Sequence, residues 1–175
     1  MSEPRRNIEL KARDGDPARS IKTCLALGAA SLGTLSQRDT YFGVRFGGLK
    51  LREETPGVPH LIQFERADEP QQRESRYRVI PVEDVPTLRA ALAAALSVQT
   101  VVTKRRQLFL WQEVRIHLDE VEGLGCFIEL EAVAARSSDL TREHQLIAEL
   151  RIAFDITDER LIATGYAAQL SARAI

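Results

Sequence analysis

Five segments of the chain carry charged residues two positions apart, the spacing that puts side chains on one face of an extended strand, and a sixth carries one charge on such a face. Glu9 and Lys11 alternate with Ile8 and Leu10; Lys50 and Arg52 alternate with Leu49 and Leu51; Arg66 shares a face with Phe64. Lys104 and Arg106 fall on the face of Val102. Arg115, His117 and Asp119 alternate with Ile116 and Leu118, and Glu129 and Glu131 with Ile128 and Leu130. A single such strand would turn its charges to water. Six of them, beside Ala- and Leu-rich helices that need an apolar surface to cover, predict that the helices take the apolar face. The charges then line the opposite face, which in a closed sheet is the lumen.

The cations of that face, Lys11, Lys50, Arg52, Arg66, Lys104, Arg106 and Arg115, outnumber its carboxylates, Glu9, Asp119, Glu129 and Glu131. Gathering them in a partly desolvated space costs several kcal/mol per uncompensated ion, so the expected ligand is a polyanion. Arg forks match phosphate oxygens and Lys acts as a point charge, which suits a triphosphate. The carboxylates cannot serve phosphates directly. Their chemistry is to hold Mg²⁺ or Mn²⁺, hard cations that take oxygen ligands and bridge to phosphate.

The elements that must position these residues follow from periodicity and breakers. Strands are predicted from Asn7 to Ala12, Gln37 to Phe46, Leu49 to Glu53, His60 to Arg66, Ser75 to Ile80, Val101 to Trp111, Glu113 to Val121 and Gly125 to Ala134. Helices are predicted from Ala18 to Leu27, entered through Asp16-Pro17 and stopped by Gly28, from Pro86 to Leu96, from Leu140 to Phe154, and from Asp158 to Ser171. Asp68 to Glu74 reads as a polar hairpin loop, and Gly123 and Gly125 punctuate the turn between the last two strands. Eight short strands on compact turns predict an α+β fold: a closed or nearly closed eight-stranded antiparallel β-barrel with flanking helices. At 175 residues, one domain spanning the whole chain is expected.

Composition narrows the function classes. With 44% hydrophobic and 28% charged residues the chain is of ordinary globular type, and no apolar run approaches a membrane span. A net charge of -1 argues against a nucleic-acid partner, and the run Lys104 to Arg106 alternates within a strand, as a phosphate site would. Cys24 and Cys126 match no metal-ligand spacing and read as buried thiols. The opening MSEPRRNIEL has no apolar run behind its basic residues, so a secretory leader is not expected and the cytoplasm is the expected compartment. The expected partner is a small-molecule triphosphate, with neither nucleic acid nor membrane; a homodimer is compatible with the chain.

In this order the segments NIELKAR (Asn7 to Arg13), QRDTYF (Gln37 to Phe42), LKLRE (Leu49 to Glu53), FER with a later SRY, VVTKRR (Val101 to Arg106) and VRIHLDEVEGLGCFIELE (Val114 to Glu131) resemble the CYTH superfamily of triphosphate tunnel enzymes. QRDTYF, LKLRE and RIHLDEVEGLG are most similar to its class IV adenylyl cyclase branch. The resemblance implies an eight-stranded tunnel that binds triphosphate through the listed cations and metal near the carboxylates. Two positions depart from the pattern. Asn7 stands where the opening Glu-x-Glu-x-Lys signature has its first Glu, which removes a charge from the metal ligands, and Gly48 stands where cyclase-like proteins often carry Arg.

The leading expectation is conversion of ATP to cyclic AMP and pyrophosphate, by in-line positioning and by metal, Arg and Lys stabilisation of charge. Hydrolysis of tripolyphosphate, thiamine triphosphate or a nucleoside triphosphate uses nearly the same residues. A weakly active phosphoryl-ligand binding protein is the third reading, motivated by Asn7. No general base stands out, and His117 reads as structural despite sharing the face of Arg115 and Asp119. Trp111 and Tyr77 read as packing, Asp39 to Tyr41 as strand and turn residues, and Arg105 and Arg151 as solvated.

Overall fold

Alternation of apolar and charged residues builds most of the strands of this chain, and the sheet they form closes on itself. The computed structural model describes residues 3–173. In chain order the elements are β1 (Arg5–Arg13), α1 (Pro17–Ala26), β2 (Ala30–Phe42), β3 (Gly48–Thr55), β4 (His60–Arg66), β5 (Arg73–Pro81), α2 (Val85–Leu96), β6 (Val98–Trp111), β7 (Val114–Val121), β8 (Gly125–Val133), α3 (Thr141–Ala153), a short 3₁₀ turn (Asp158–Arg160) and α4 (Tyr166–Arg173). The strands form a closed antiparallel barrel in the order β1-β5-β4-β3-β2-β6-β7-β8, with β8 returning to β1. Four helices flank it. Among the described residues no helix is long and apolar enough to cross a membrane.

The helices start where side chains satisfy their free N–H groups. Asp16 accepts from the Arg19 N–H at 3.0 Å, and Asp84 accepts from the Thr87 N–H at 3.1 Å, each just ahead of a proline in the first turn. Gly28 ends α1 at φ +69°, a conformation that glycine adopts without strain.

The outward apolar residues make the main core. Ile8, Leu10 and Ala12 of β1, Ile116 and Leu118 of β7, and Ile128, Leu130 and Ala132 of β8 are buried under Leu146, Ile147 and Leu150 of α3. Each large aliphatic side chain buried there contributes about 1.5–3 kcal/mol. On the other side α2 lies over Phe42, Leu51 and Val82 through Leu88, Leu92 and Leu96, which stay half-buried or more exposed; no residue of α2 is fully buried. The helices thus cover the apolar face, and the charged face turns inward.

Several boundaries differ from the sequence reading, most of all in β2, β5 and the C-terminal helix. β2 begins at Ala30 and ends at Phe42, so it gains Ala30 to Ser36 and loses Gly43 to Phe46. ASLGTL lacks alternation because it pairs through a bulge between Ser31 and Gly33, and Gly33 has φ +96°. Arg73 and Glu74 belong to β5 instead of the preceding loop. The expected helix from Asp158 to Ser171 is broken between the 3₁₀ turn and α4. There Leu161 bridges to Ala12, and the Ile162 N–H donates to the Lys11 carbonyl at 2.9 Å, which holds the chain extended along β1.

Candidate functional site

Six of the eight strands send charged side chains into one half-open space of about 160 Å³. Its wall holds Lys11, Lys50, Arg52, Arg66, Lys104, Arg106 and Arg115 together with Glu9, Glu129 and Glu131, so all seven expected cations and three of the four expected carboxylates converge. Register explains the convergence. Lys11 lies opposite Glu129, Glu9 opposite Glu131, Arg115 opposite Glu131, and Arg106 opposite Asp119, all on the inward side of the pleat.

Asp119 is the exception. Its side chain has no exposed surface and stands behind the wall, where Arg106 donates from Nε to Oδ1 and from Nη2 to Oδ2, both at 2.6 Å, and the Tyr166 hydroxyl donates to Oδ2 at 2.9 Å. Both oxygens are engaged by cation or hydroxyl. In this geometry Asp119 fixes the direction of the Arg106 fork and of the Tyr166 hydroxyl. Asp39, read from sequence as a strand and turn residue, plays the corresponding part on β2. Arg52 grips it from Nε and Nη2 at 2.7 Å each, and Lys50 donates to Oδ2 at 3.2 Å. Lys104 sits between the two forks, 3.9 Å from Asp39 Oδ2 and 3.6 Å from Asp119 Oδ2.

A bidentate pair uses two of an Arg's five N–H donors, so Arg52 and Arg106 are fixed in direction yet keep donors for a ligand. Burial opposes ionisation of Asp39, but Arg52 and Lys50 outweigh it and hold its carboxyl well below the usual range. Glu129 is likewise held low against its burial by Lys11, whose Nζ is 3.1 Å from Oε1, and by His117 and Arg106 at Oε2. The cations bear the opposite strain. Burial, then the neighbouring Arg106 charge, lowers Lys104 from 10.5 to about 7, and burial with Arg52 lowers Lys50. With Asp39 and Asp119 counted behind the wall, cations still exceed carboxylates by two.

The carboxylate side of the lumen is built by β1, β7 and β8. Glu9 Oε1 accepts from Arg66 Nη1 at 2.7 Å and from Arg73 Nε and Nη2 at 3.1 and 3.0 Å. His117, buried beside this set, points Nδ1 at Glu129 Oε2 (3.4 Å) and Glu131 Oε1 (3.9 Å). Burial and Arg106 lower its pKa, which favours the neutral imidazole. Ligand atoms of His117, Glu129 and Glu131 lie within 4.8 Å of one another. Asn7 also lines the lumen, and its Oδ1 is buried with no hydrogen-bond partner among the described residues. A buried, unsatisfied carbonyl oxygen near three carboxylates is a donor set for a hard divalent cation, so these residues fit Mg²⁺ or Mn²⁺.

Sequence reasoning missed Asp39, Tyr41, Arg73 and Tyr166. Gln37, Asp39 and Tyr41 alternate, so the signal for β2 was present in the same form as elsewhere. Tyr41 and Phe64 meet edge to face, 6.5 Å between centroids, where the lumen adjoins an outer groove of about 660 Å³. Tyr77, read as packing, is on the lumen wall. Gly48 lies under the Phe64 ring, which an added Cβ would overlap, so a side chain there requires the ring to move.

The fold and site define a closed β-barrel with a cation-rich interior. A profile of the CYTH domain matches residues 5–162, and the chain belongs to this family. The PH1012 protein of Pyrococcus horikoshii OT3 shares the fold with 23% identity and a TM-score of 0.82, over 93% of this chain and 98% of that one. A candidate adenylate cyclase from Vibrio parahaemolyticus gives 19% identity and a TM-score of 0.76, over 94% and 97%. A candidate adenylyl cyclase from Hippeastrum with dominant triphosphatase activity gives 17% and 0.63, over 96% and 95%. A search of curated proteins finds no match.

Proposed function

We propose that the lumen binds a triphosphate complexed with Mg²⁺ or Mn²⁺ and that the chain hydrolyses its terminal phosphate. The observation that carries this reading is the wall itself, seven cations against three carboxylates around about 160 Å³. That space suits a short phosphate chain and is smaller than the ~300–1,000 Å³ clefts that usually take organic ligands.

Lys50, Arg52, Arg66, Lys104, Arg106 and Arg115, with Lys11, would bind and align the phosphates and stabilise charge on the transferring and leaving oxygens. Glu9, Glu129, Glu131 and the Asn7 carbonyl would hold the divalent cation, with His117 orienting Glu129 and Glu131. When bound, that cation would supply Lewis-acid neutralisation of phosphate oxygens. A water oxygen bonds to the terminal phosphorus while the bond to the bridging oxygen breaks. The electron pair stays on the diphosphate product, and the water's proton passes to solvent.

Cyclisation of ATP is the second reading. The 660 Å³ groove that shares Tyr41, Phe64 and Arg66 with the lumen favours it, because it is roomy enough for a nucleoside. Purified protein is given Mg²⁺ or Mn²⁺ with tripolyphosphate, thiamine triphosphate or ATP. Orthophosphate release is the expected result; cyclic AMP with pyrophosphate would select the second reading, and no turnover with tight binding would leave a binding protein.

A further inference from the structure

Tyr166 opens α4, four residues beyond the end of the CYTH match, yet it is part of the lumen wall. Its side chain is almost fully buried, and two ammonium groups lie over its ring. Lys11 Nζ is 3.8 Å from the ring centroid and Lys104 Nζ is 5.0 Å from it. The hydroxyl donates to Asp119 Oδ2 at 2.9 Å, which fixes the ring plane, and Phe127 packs on it at 4.9 Å between centroids. Burial and the Asp119 charge push the phenol well above its usual range, so the hydroxyl remains a donor.

We propose that Tyr166 is a positioning residue of the triphosphate site, an uncharged aromatic partner whose ring keeps the Lys11 and Lys104 side chains aimed into the lumen. The inference rests on the triphosphate reading above. The physical reason is competition. A carboxylate beside a lysine stabilises the ammonium but must be displaced or repelled when a phosphate arrives. The electron-rich face of a ring stabilises the same ammonium without net charge, most strongly when water is excluded, and leaves its positive field for the ligand. Lys104 is faced by Asp39 from β2, Arg52 from β3, Arg106 from its own strand, Asp119 from β7 and Tyr166 from α4. Of these, only Tyr166 stabilises the cation without adding a negative charge at neutral pH.

The test is calorimetric titration of the full chain with tripolyphosphate in metal-free buffer, so that no turnover is needed. Tyr166→Leu, which keeps apolar bulk but has no ring, should weaken binding roughly tenfold. Tyr166→Phe, which keeps the ring and loses the hydroxyl, should stay within about threefold of the wild type. Phe127→Leu removes packing behind the ring without touching either lysine; it should lower the melting temperature and leave the affinity unchanged. If Tyr166→Leu does not fold, Tyr166→Met takes its place with the same expectation. Wild-type binding that survives the Leu or Met change unaltered would overturn this inference alone. A wild type that binds no tripolyphosphate would overturn the triphosphate reading and this inference with it.

Discussion

Asp39 and Asp119 are each gripped by both arms of an Arg fork and have no exposed side-chain surface, whereas Glu129 and Glu131, in the same lumen, keep 8% and 19% of theirs. The difference follows from one methylene. The short aspartate arm keeps its carboxylate against the barrel wall, where it fixes Arg52, Arg106 and Lys104. The longer glutamate arm carries its carboxylate inward, beside Asn7 and His117. Acidic residues of one inward face are therefore graded: Asp39 and Asp119 hold cations in place, Glu9 and Glu129 pair with cations yet keep some exposed surface, and Glu131 is the most open of them.

The sharpest way to break this grading is to compare Asp119→Ala with Glu131→Gln by urea unfolding. Removing Asp119 takes the bidentate partner from buried Arg106, leaving it Glu129 alone, and should cost about 3 kcal/mol. Glu131→Gln should cost less than about 1 kcal/mol. Equal losses would abolish the distinction. A smaller effect sharpens the metal side: Asn7→Glu restores a charge beside Glu9 and should lower the Mn²⁺ concentration for half-maximal activity by roughly tenfold. An unchanged metal dependence would remove Asn7 from that set.

The smallest expected effect concerns Lys104, held at about 7 instead of 10.5 by burial and Arg106. Between those values the unfolded chain binds a proton that the folded one lacks, so the Lys104 contribution to stability rises with pH through that window. A bound polyanion reverses the preference and returns the proton. Tripolyphosphate affinity should therefore fall as pH rises above about 7, and titration at about pH 8.5 in buffers of different ionisation heat should record uptake approaching one proton. Identical heats in all buffers would show that Lys104 is already charged before binding.

Most of the barrel was legible because most of its strands repeat one two-residue pattern, and the lumen cations came with it. What was not legible has physical causes. Ala30 to Leu35 pairs with β6 alone and through a bulge, so it carries no alternation. The C-terminal helix lost its first half because Leu161 and Ile162 are claimed by β1. The role of Asp119 depends on Arg106 directly across the ladder, which needs the register of β6 with β7. Tyr166 reaches the lumen from a helix, outside any strand pattern, so periodicity carries no trace of it.

The inward charges also guard the barrel against misassembly. Sliding β7 by a single residue past β8 would deliver Ile116 and Leu118 to the wet interior and press Arg115, His117 and Asp119 into the aliphatic layer beneath α3. Every odd-numbered slip thus exposes oil and buries bare ions together. The same side chains that await an anion keep the staves in order before one arrives.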